Sequence, residues 1–373
     1  MMRTIEQLFI YPAKSLSGIR LDSAQVQPSG FQFDRQFMLT KPDGTFITAR
    51  KYPKLLRLTP QITDAGLTII SPDNRSIVIN YRDFSSQPEF TEVWGNHFHA
   101  YIASINVNRW FSDYLQHDVQ LRWVGEHSSR RIKQFPDIPL SFADGYPFLL
   151  INRASFEYVK ARCHSPIEIA QFRANIIVDD QQPFAEDSWK TIKIGEVIFE
   201  LVKPCSRCIL TTVDTLSAKL NSQKEPLSVL AEFRTDDKGD IDFGMNMIAR
   251  NQGLIRVTDR VEILETKPAK LYQQRQYTLP SFRASAEPSA TTHQEIDIDY
   301  QGQFFKGNTE QTILEQLEQH NIQIPYSCRA GLCGRCHVAL IEGEVKPLVQ
   351  NAIRQQHQIL ACSCIPRSNI KLG

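Results

Sequence analysis

At 373 residues, with 42 basic against 41 acidic side chains, the chain has material for two or three domains and a net charge of only +1. So even a balance excludes the electrostatic footprint of a nucleic-acid polymer or an anionic membrane as partner. No run approaches the roughly 20 apolar residues of a membrane-spanning helix, and Met1 to Lys14 has neither a long apolar core nor a small-residue cleavage site, so a cytoplasmic protein is expected.

From Met1 to about Tyr101 the chain reads as short strands with frequent turns. Thr4 to Tyr11, Phe37 to Thr40, Phe46 to Thr48, Leu67 to Ile70 and Ser76 to Tyr81 are rich in β-branched and aromatic residues. Pro42-Asp43-Gly44 and Pro72-Asp73-Asn74 mark turns between them, and an antiparallel, partly barrel-like sheet accommodates the pattern. From 102 to 266 helices enter a sheet. Helices are predicted over Asn106 to Leu115, Arg153 to Cys163 with Asn152 as N-cap, and Leu227 to Phe233. Thr191 to Val202 reads as a strand pair and Leu254 to Leu264 as a closing hairpin. Trp110 and Phe111 fall on the core face of the first helix.

Residues 267–294 are dominated by Pro, Ser, Ala, Thr and Gln without apolar periodicity, which is the composition of a flexible linker. Residues 295–373 resume with strands near Ile296 to Tyr300 and Gln303 to Lys306. An acidic amphipathic helix follows over Glu310 to His320, with Thr309 as N-cap and Ile313, Leu314 and Leu317 on one face, and His337 to Glu342 reads as a strand. The acidic face suits either plain solvation or the docking of a basic patch on a donor protein.

Eight cysteines and no apparent disulfide framework fit a reducing compartment. Four of them, Cys328, Cys333, Cys336 and Cys362, have the C-x4-C-x2-C…C spacing of a [2Fe-2S] cluster. Iron prefers thiolate sulfur, and Gly331 and Gly334 between the ligands let backbone N–H groups approach that sulfur. A structural zinc site would pair two C-x2-C knuckles, and only Cys333 and Cys336 make one. Cys362 is preferred to Cys364 as fourth ligand because Ile359 and Leu360 would end a buried strand just before it. A second C-x2-C, Cys205-Ser206-Arg207-Cys208, is ambiguous by itself. Arg207 would help hold a thiolate, but zinc would need two further ligands and a redox dithiol would want a βαβ context. Among the seventeen glycines there is neither a G-x-G-x-x-G nor a P-loop.

The segment Tyr-Ser-Cys-Arg-Ala-Gly-Leu-Cys-Gly-Arg-Cys and its flanking strands and helix resemble the β-grasp fold of plant-type ferredoxins. Tyr11-Pro12-Ala13-Lys14-Ser15, Phe33-Asp34-Arg35, Thr48-Ala49-Arg50, Phe172-Arg173-Ala174-Asn175 and Lys203 to Asp214 resemble the MOSC family with its N-terminal β-barrel partner. Mitochondrial amidoxime-reducing components and the C-terminal part of molybdenum cofactor sulfurases belong to that family, and bacterial members exist that carry an appended ferredoxin. The resemblance implies a mixed β and α+β chain: an N-terminal β-barrel-like domain over 1–101, a MOSC domain over 102–266, a linker, and a β-grasp ferredoxin domain from 295.

It also implies two cofactors, a [2Fe-2S] cluster and molybdenum cofactor (molybdopterin). By position Cys208 becomes the molybdenum ligand and catalytic centre, with Lys14, Ser15, Arg35, Arg173, Asn175 and Ser206 as pterin or phosphate contacts. Arg130 and Arg131 read as a solvated basic loop, the alternative being an addition to the phosphate pocket, and Cys205 as structural. Two features depart from the mitochondrial pattern: no membrane anchor is evident, and Thr215 follows Asp214 where those proteins have proline.

The expected activity is reduction of small N-hydroxylated compounds such as hydroxylaminopurines, amidoximes or N-oxides. Since the chain has no flavin or nicotinamide motif, an NAD(P)H-dependent flavoprotein reductase is the expected electron donor. A sulfur carrier using a Cys208 persulfide, and a non-catalytic electron-transfer adaptor, are the alternatives.

Overall fold

The computed structural model describes residues 3–273, 294–349, 352–353 and 357–373. They fall into two compact units. One comprises Met1–Cys205, Leu210–Pro226 and Phe243–Lys270; the other comprises Ser206–Ile209, Leu227–Asp242 and Leu271–Gly373. The architecture is mixed β and α+β, with four α-helices among the described residues.

The first unit is built on an eight-stranded sheet in the order Ile19–Leu21, Thr4–Ile10, Ile176–Asp179, Phe148–Asn152, Asp242–Ala249, Val197–Ser206, Trp189–Ile194 and Val261–Thr266. Its central strands are near-continuous apolar runs, as strands buried on both faces must be. Phe148–Asn152 and Ile176–Asp179 lie parallel and are joined by helical crossover. Leu8, Ile10, Leu150, Ile176 and Phe199 form the core, where Phe148 meets Phe199 edge-to-face at 5.3 Å.

Around this sheet stand a four-stranded sheet of Phe37–Thr40, Gln120–Trp123, Asn96–Ile102 and Glu89–Val93, and a meander of Thr59–Thr63, Gly66–Ile70 and Ser76–Asn80. With helix α1 (Ile105–Leu115) they give the barrel-like part of the fold. Val107, Phe111 and Leu115 recur at helical spacing and close its core against Phe37, Leu39 and Leu67. Phe111 is fully buried and Trp110 packs at the margin, as their core-face assignment requires.

Helix α2 (Arg153–Lys160) starts where expected. Asn152 Oδ1 accepts the Ala154 N–H at 3.0 Å, and that cap contributes about 1 kcal/mol. It ends three residues before Cys163, because Arg162 and Cys163 bond three residues back, to Val159 and Lys160, in a tightening turn. Helix α3 (Leu227–Phe233) matches its expected span.

Two expected elements differ. Phe46 to Thr48 makes only an isolated bridge between Phe46 and Thr40. The stretch from Leu254 to Leu264 is no hairpin: Gly253–Arg256 pairs with Ser23–Gln27, and Val261–Thr266 with Trp189–Ile194. Each arm finds a partner distant in sequence, so the turn at Asp259 connects two sheets.

In the second unit a five-stranded sheet runs Gln303–Asn308, Glu295–Tyr300, Ile370–Leu372, His337–Glu342 and Gln358–Leu360. Glu295–Tyr300 and Ile370–Leu372 are parallel, and helix α4 (Ile313–Gln319) buries Ile313, Leu314 and Leu317 among Ile296, Ile298 and Val338, the β-grasp arrangement. The N-cap of α4 is Thr312, not Thr309. Thr312 and Glu315 form a reciprocal capping box, while Asn308 Oδ1 takes the Glu310 and Gln311 N–H groups and holds those residues in a turn. The acidic face is partly spent internally, since Glu315 caps the helix and Glu318 pairs with Arg329.

Most of the expected linker, 274–293, lies outside the described residues. Its first part is ordered. Lys267 N–H donates to Ser188 O at 2.7 Å, and Gln273 N–H to Thr235 O at 3.0 Å.

Glu186 is fully buried and accepts the Ser155 hydroxyl at 2.9 Å. Burial, and secondarily Asp187, raises its carboxyl to about 7. The unfolded chain ionises this group first, so stability is full below about pH 4.5 and is lost as pH rises towards 7, by on the order of 3 kcal/mol at most. Glu186→Gln keeps the hydroxyl contact without the charge. Thermal melts of both proteins at pH 5 and pH 8 are expected to show the substitution gaining several degrees at pH 8 and little at pH 5.

Candidate functional sites: a cysteine loop, a thiol motif and a buried basic cluster

Three of the four spaced cysteines, Cys328, Cys333 and Cys336, lie on the loop between α4 and His337–Glu342. Cys362 sits on the Ala361–Ser363 turn that faces it, held by the Ala361 N–H to Cys336 O bond of 2.8 Å. All four are buried, between 0 and 8 % exposed. Thiolates out of water need donors, and the backbone supplies them. Ala330 and Cys333 N–H point at Cys328 Sγ (3.4 and 3.3 Å), and Arg335 N–H points at Cys333 Sγ (3.5 Å). Gly331 N–H and the Ser363 hydroxyl serve Cys362.

Left-handed backbone at Arg329, Gly331 and Gly334 turns these groups inward. A Cβ on Gly331 would lie 2.7 Å from both Ser363 Oγ and Val349 Cγ2, so glycine is obligatory there. The thiols associate in two pairs, Cys328 with Cys333 and Cys336 with Cys362. In each pair hydrogen bonding between the sulfurs lowers one thiol, Cys333 or Cys362, and raises its partner, Cys328 or Cys336. Two pairs fit a centre of two irons, each taking two thiolates. Cys364 is fully buried with Sγ near Ala352 O, and burial pushes its thiol up to about 12.

The second motif leaves the strand Val197–Ser206 and enters the short turn Ile209–Thr212. Ser206 Oγ donates to Asp242 Oδ1 at 3.1 Å, and Arg207 N–H donates to Ile241 O at 2.7 Å. The Ile209 N–H donates to the carbonyl of Cys328 at 2.9 Å. Cys208 therefore stands one residue from a direct bond to the cysteine loop of the same unit. Cys205 and Cys208 are half-buried.

The basic residues form two adjoining clusters in the first unit. Lys14 is buried, donates to Phe142 O at 2.9 Å and pairs with Asp144. Burial lowers its ammonium to about 8 against the pull of Asp144, with Arg130 and Arg50 adding. Asp144 is exposed on one side, yet Lys14 and Arg50 overcome partial desolvation and hold its carboxyl well below the usual range. Trp94 Nε1 donates to Asp144 at 2.9 Å while Arg50 stacks on the Trp94 ring at 4.1 Å. Arg130 is no solvated loop residue. It is 4 % exposed and donates to Ser141 and Ala143 carbonyls, whereas Arg131 is exposed.

In the neighbouring cluster Tyr11 is sandwiched between Arg35 at 4.4 Å and Arg173 at 4.3 Å. Buried Asp34 accepts the Tyr11 N–H and the Arg35 guanidinium, and burial outweighs both in raising its carboxyl. Burial, then Arg35, lowers Arg173 to about 10, so cationic charge here exceeds its compensation. An anionic group such as a phosphate fits that imbalance.

Ser15, Phe33, Arg35 and Arg173 all adopt left-handed backbone, a concentration of strain typical of sites. Ser15 Oγ accepts the Ala49 N–H at 3.0 Å. Asn175 is tied to the fold at both ends, accepting from Leu149 N–H and donating to Phe9 O, each at 3.2 Å. Tyr11 and Arg173 also line a cavity of about 580 Å³ with Ser17, Arg57 and Ser71.

Comparison with known proteins accounts for these features. Residues 2–118 match the MOSC N-terminal beta barrel domain, 137–262 the MOSC domain, and 296–367 the 2Fe-2S iron-sulfur cluster binding domain. The fold and its sites thus define a molybdenum-cofactor and iron–sulfur protein. The chain carries MOSC N-terminal, MOSC and 2Fe-2S domains, and its cofactors are the molybdenum cofactor and a [2Fe-2S] cluster. It is 29 % identical over 280 residues to mitochondrial amidoxime-reducing component 1 of Mus musculus, covering 70 % of this chain and 82 % of that protein. The Homo sapiens protein of that name is 27 % identical over 280 residues, covering 70 and 83 %. A molybdenum cofactor sulfurase of Oryza sativa subsp. japonica is 27 % identical over 266 residues, covering 65 % of this chain and 32 % of that one. Among the described residues no helix is long and apolar enough to cross a membrane.

Residues that sequence patterns did not single out also matter here. Asp144 and Trp94 had no motif around them. Arg50 stood in the quoted Thr48-Ala49-Arg50 segment, where the basic residue was the available signal.

Cys362→Ala is expected to remove the visible absorbance of the cluster and at least half the iron, while Cys364→Ala retains both. Iron analysis and absorption spectra of the two purified variants check this.

Proposed function

We propose that the protein is a reductase of small N-hydroxylated compounds, such as hydroxylaminopurines, amidoximes or N-oxides, fed by electrons through its own [2Fe-2S] domain from an external NAD(P)H-dependent flavoprotein. The observation that carries this reading is the Ile209 N–H to Cys328 O bond, which puts Cys208 one residue from a direct bond to the cysteine loop. The names of the relatives, amidoxime-reducing components, supply the substrate class. In the overall change the N–O bond breaks, and the oxygen leaves as water with two electrons and two protons consumed.

Cys208 would bind the molybdenum, and Cys328, Cys333, Cys336 and Cys362 the two irons. The molybdenum cofactor, when bound, supplies a centre that accepts single electrons and performs two-electron reduction. The residues of the chain then have separable tasks. Lys14 is a buried cation and Arg35 and Arg173 are half-buried ones, all suited to a phosphate, with Asp34 and Tyr11 fixing the two arginines. Ser15 positions the turn after Lys14 through Ala49, and Asn175 supports the same region from below by joining Phe9 to Leu149. Ser206, bonded to Asp242, fixes the approach to Arg207 and Cys208. Four cysteines at cluster spacing, which bind metal as thiolates, support a reducing, cytoplasmic setting.

The test is paired substitution in protein from a host that makes molybdopterin. Cys208→Ala should lower reduction of a hydroxylamino base at least a hundredfold and leave the cluster spectrum intact. Cys333→Ala should remove the spectrum and block turnover from the flavoprotein, yet spare turnover with a small-molecule reductant. Unchanged activity in Cys208→Ala would overturn the reading. Lys14→Met and Arg173→Met are each expected to lower bound molybdopterin severalfold, as measured by fluorescence of the oxidised pterin.

A further inference from the structure

Within the second unit the cysteine loop meets the Cys208 segment and the turn of Asp236 to Ile241 through contacts that the cluster itself does not require. Arg335, two residues beyond Cys333, reaches across 95 residues of sequence and places Nη1 2.9 Å from both oxygens of Asp240. The pair is partly buried, at 32 and 22 % side-chain exposure, where screening by water is incomplete. Gly239 has φ +86°, and a Cβ there would stand 2.9 Å from Cys333 O, so the turn approaches the loop as closely as backbone allows. The turn is bonded in its own right to the thiol motif, through Arg207 N–H to Ile241 O at 2.7 Å. On the other side of the motif lies the Ile209 to Cys328 bond of 2.9 Å.

We infer that Arg335, Asp240 and Gly239 are positioning residues that clamp the cysteine loop onto the Cys208 segment, and that the clamped Cys328 C=O to Ile209 N–H bond is the one-electron path between the two. This rests on the proposed reductase function and deepens it. Electron tunnelling decays far faster through empty space than along bonds. From Cys328 Sγ the route follows that residue's own covalent bonds to its carbonyl, crosses one hydrogen bond, and reaches Cys208 Sγ through one peptide unit. For each electron that passes, the cluster side is oxidised by one and the Cys208 side reduced by one. Two passages, each replenished by the external one-electron donor, meet the needs of one turnover. A cysteine loop without this clamp would lose the route each time it parted from the Cys208 segment. The ion pair holds it in place without adding a residue to the path. Arg335 and Arg329 are both committed to internal carboxylates, Asp240 and Glu318.

The experiment uses the full-length holoprotein as wild type, Asp240→Asn, Arg335→Asp and the swapped pair D240R/R335D. Amide hydrogen exchange is followed over residues 206–209 and 328–336. Reoxidation of the prereduced cluster by a hydroxylamino base is followed by stopped-flow absorbance. Both single variants are expected to keep the cluster spectrum and their turnover with a small-molecule reductant. They should exchange the Ile209 amide at least tenfold faster and reoxidise the cluster about tenfold more slowly, and the swapped pair should recover much of both. Unchanged exchange and reoxidation in Asp240→Asn and Arg335→Asp would overturn the clamp. Faster exchange with unchanged reoxidation would overturn the path alone. A wild-type cluster that is never reoxidised by substrate would overturn the path together with the reductase function, while exchange would still decide the clamp.

Discussion

Charge kept out of water has to be met by donors or by counter-charge, and the cysteine loop shows how far that constraint shapes this protein. Four thiols buried to within 8 % exposure would be an unfavourable arrangement if backbone N–H groups did not converge on them. That convergence demands left-handed turns, and the turns demand glycine where Ser363 and Val349 crowd Gly331. The carbonyls displaced outward by the same turns become available to neighbours, and Cys328 O is taken by Ile209. Ligation geometry and contact with the second motif are thus two sides of one loop conformation.

The basic clusters obey the same rule with opposite sign. Lys14 and Arg130 are buried and Arg173 half-buried, and each is lowered by desolvation before any neighbour acts. Asp34 and Asp144 offset part of this charge and orient the cations, Asp34 from inside the fold and Asp144 from its surface. The remainder is a standing preference for an anion. The strain at Ser15, Phe33, Arg35 and Arg173 belongs to the same arrangement, since left-handed backbone at non-glycine residues persists only where surrounding contacts over-determine it.

Elements legible in sequence were those whose signal is local. Phe37–Thr40, Leu227–Phe233 and His337–Glu342 match their expected spans because apolar periodicity and flanking turns lie within a few residues. Where long-range pairing competes, the local signal fails. Leu254 to Leu264 looks like a hairpin, yet its arms join strands at Ser23–Gln27 and Trp189–Ile194. At α4 the competition was itself local but finer than periodicity, an Asn308 turn and a Thr312 and Glu315 capping box taking precedence over Thr309.

By itself the sequence determined the chemistry on offer: four thiols at cluster spacing, a thiol motif with a neighbouring arginine, and the mixed β and α+β pattern that carries them. Ligand type and spacing are properties of short segments, so they survive without a fold. Tertiary structure alone decided which groups face one another. Arg335 and Asp240 are 95 residues apart, Lys14 and Asp144 are 130 apart, and no periodicity or motif links either pair. Burial likewise came only with the fold. It turned Arg130 from an expected surface cation into a desolvated one, because desolvation depends on what packs around a side chain and not on the residues beside it in the chain.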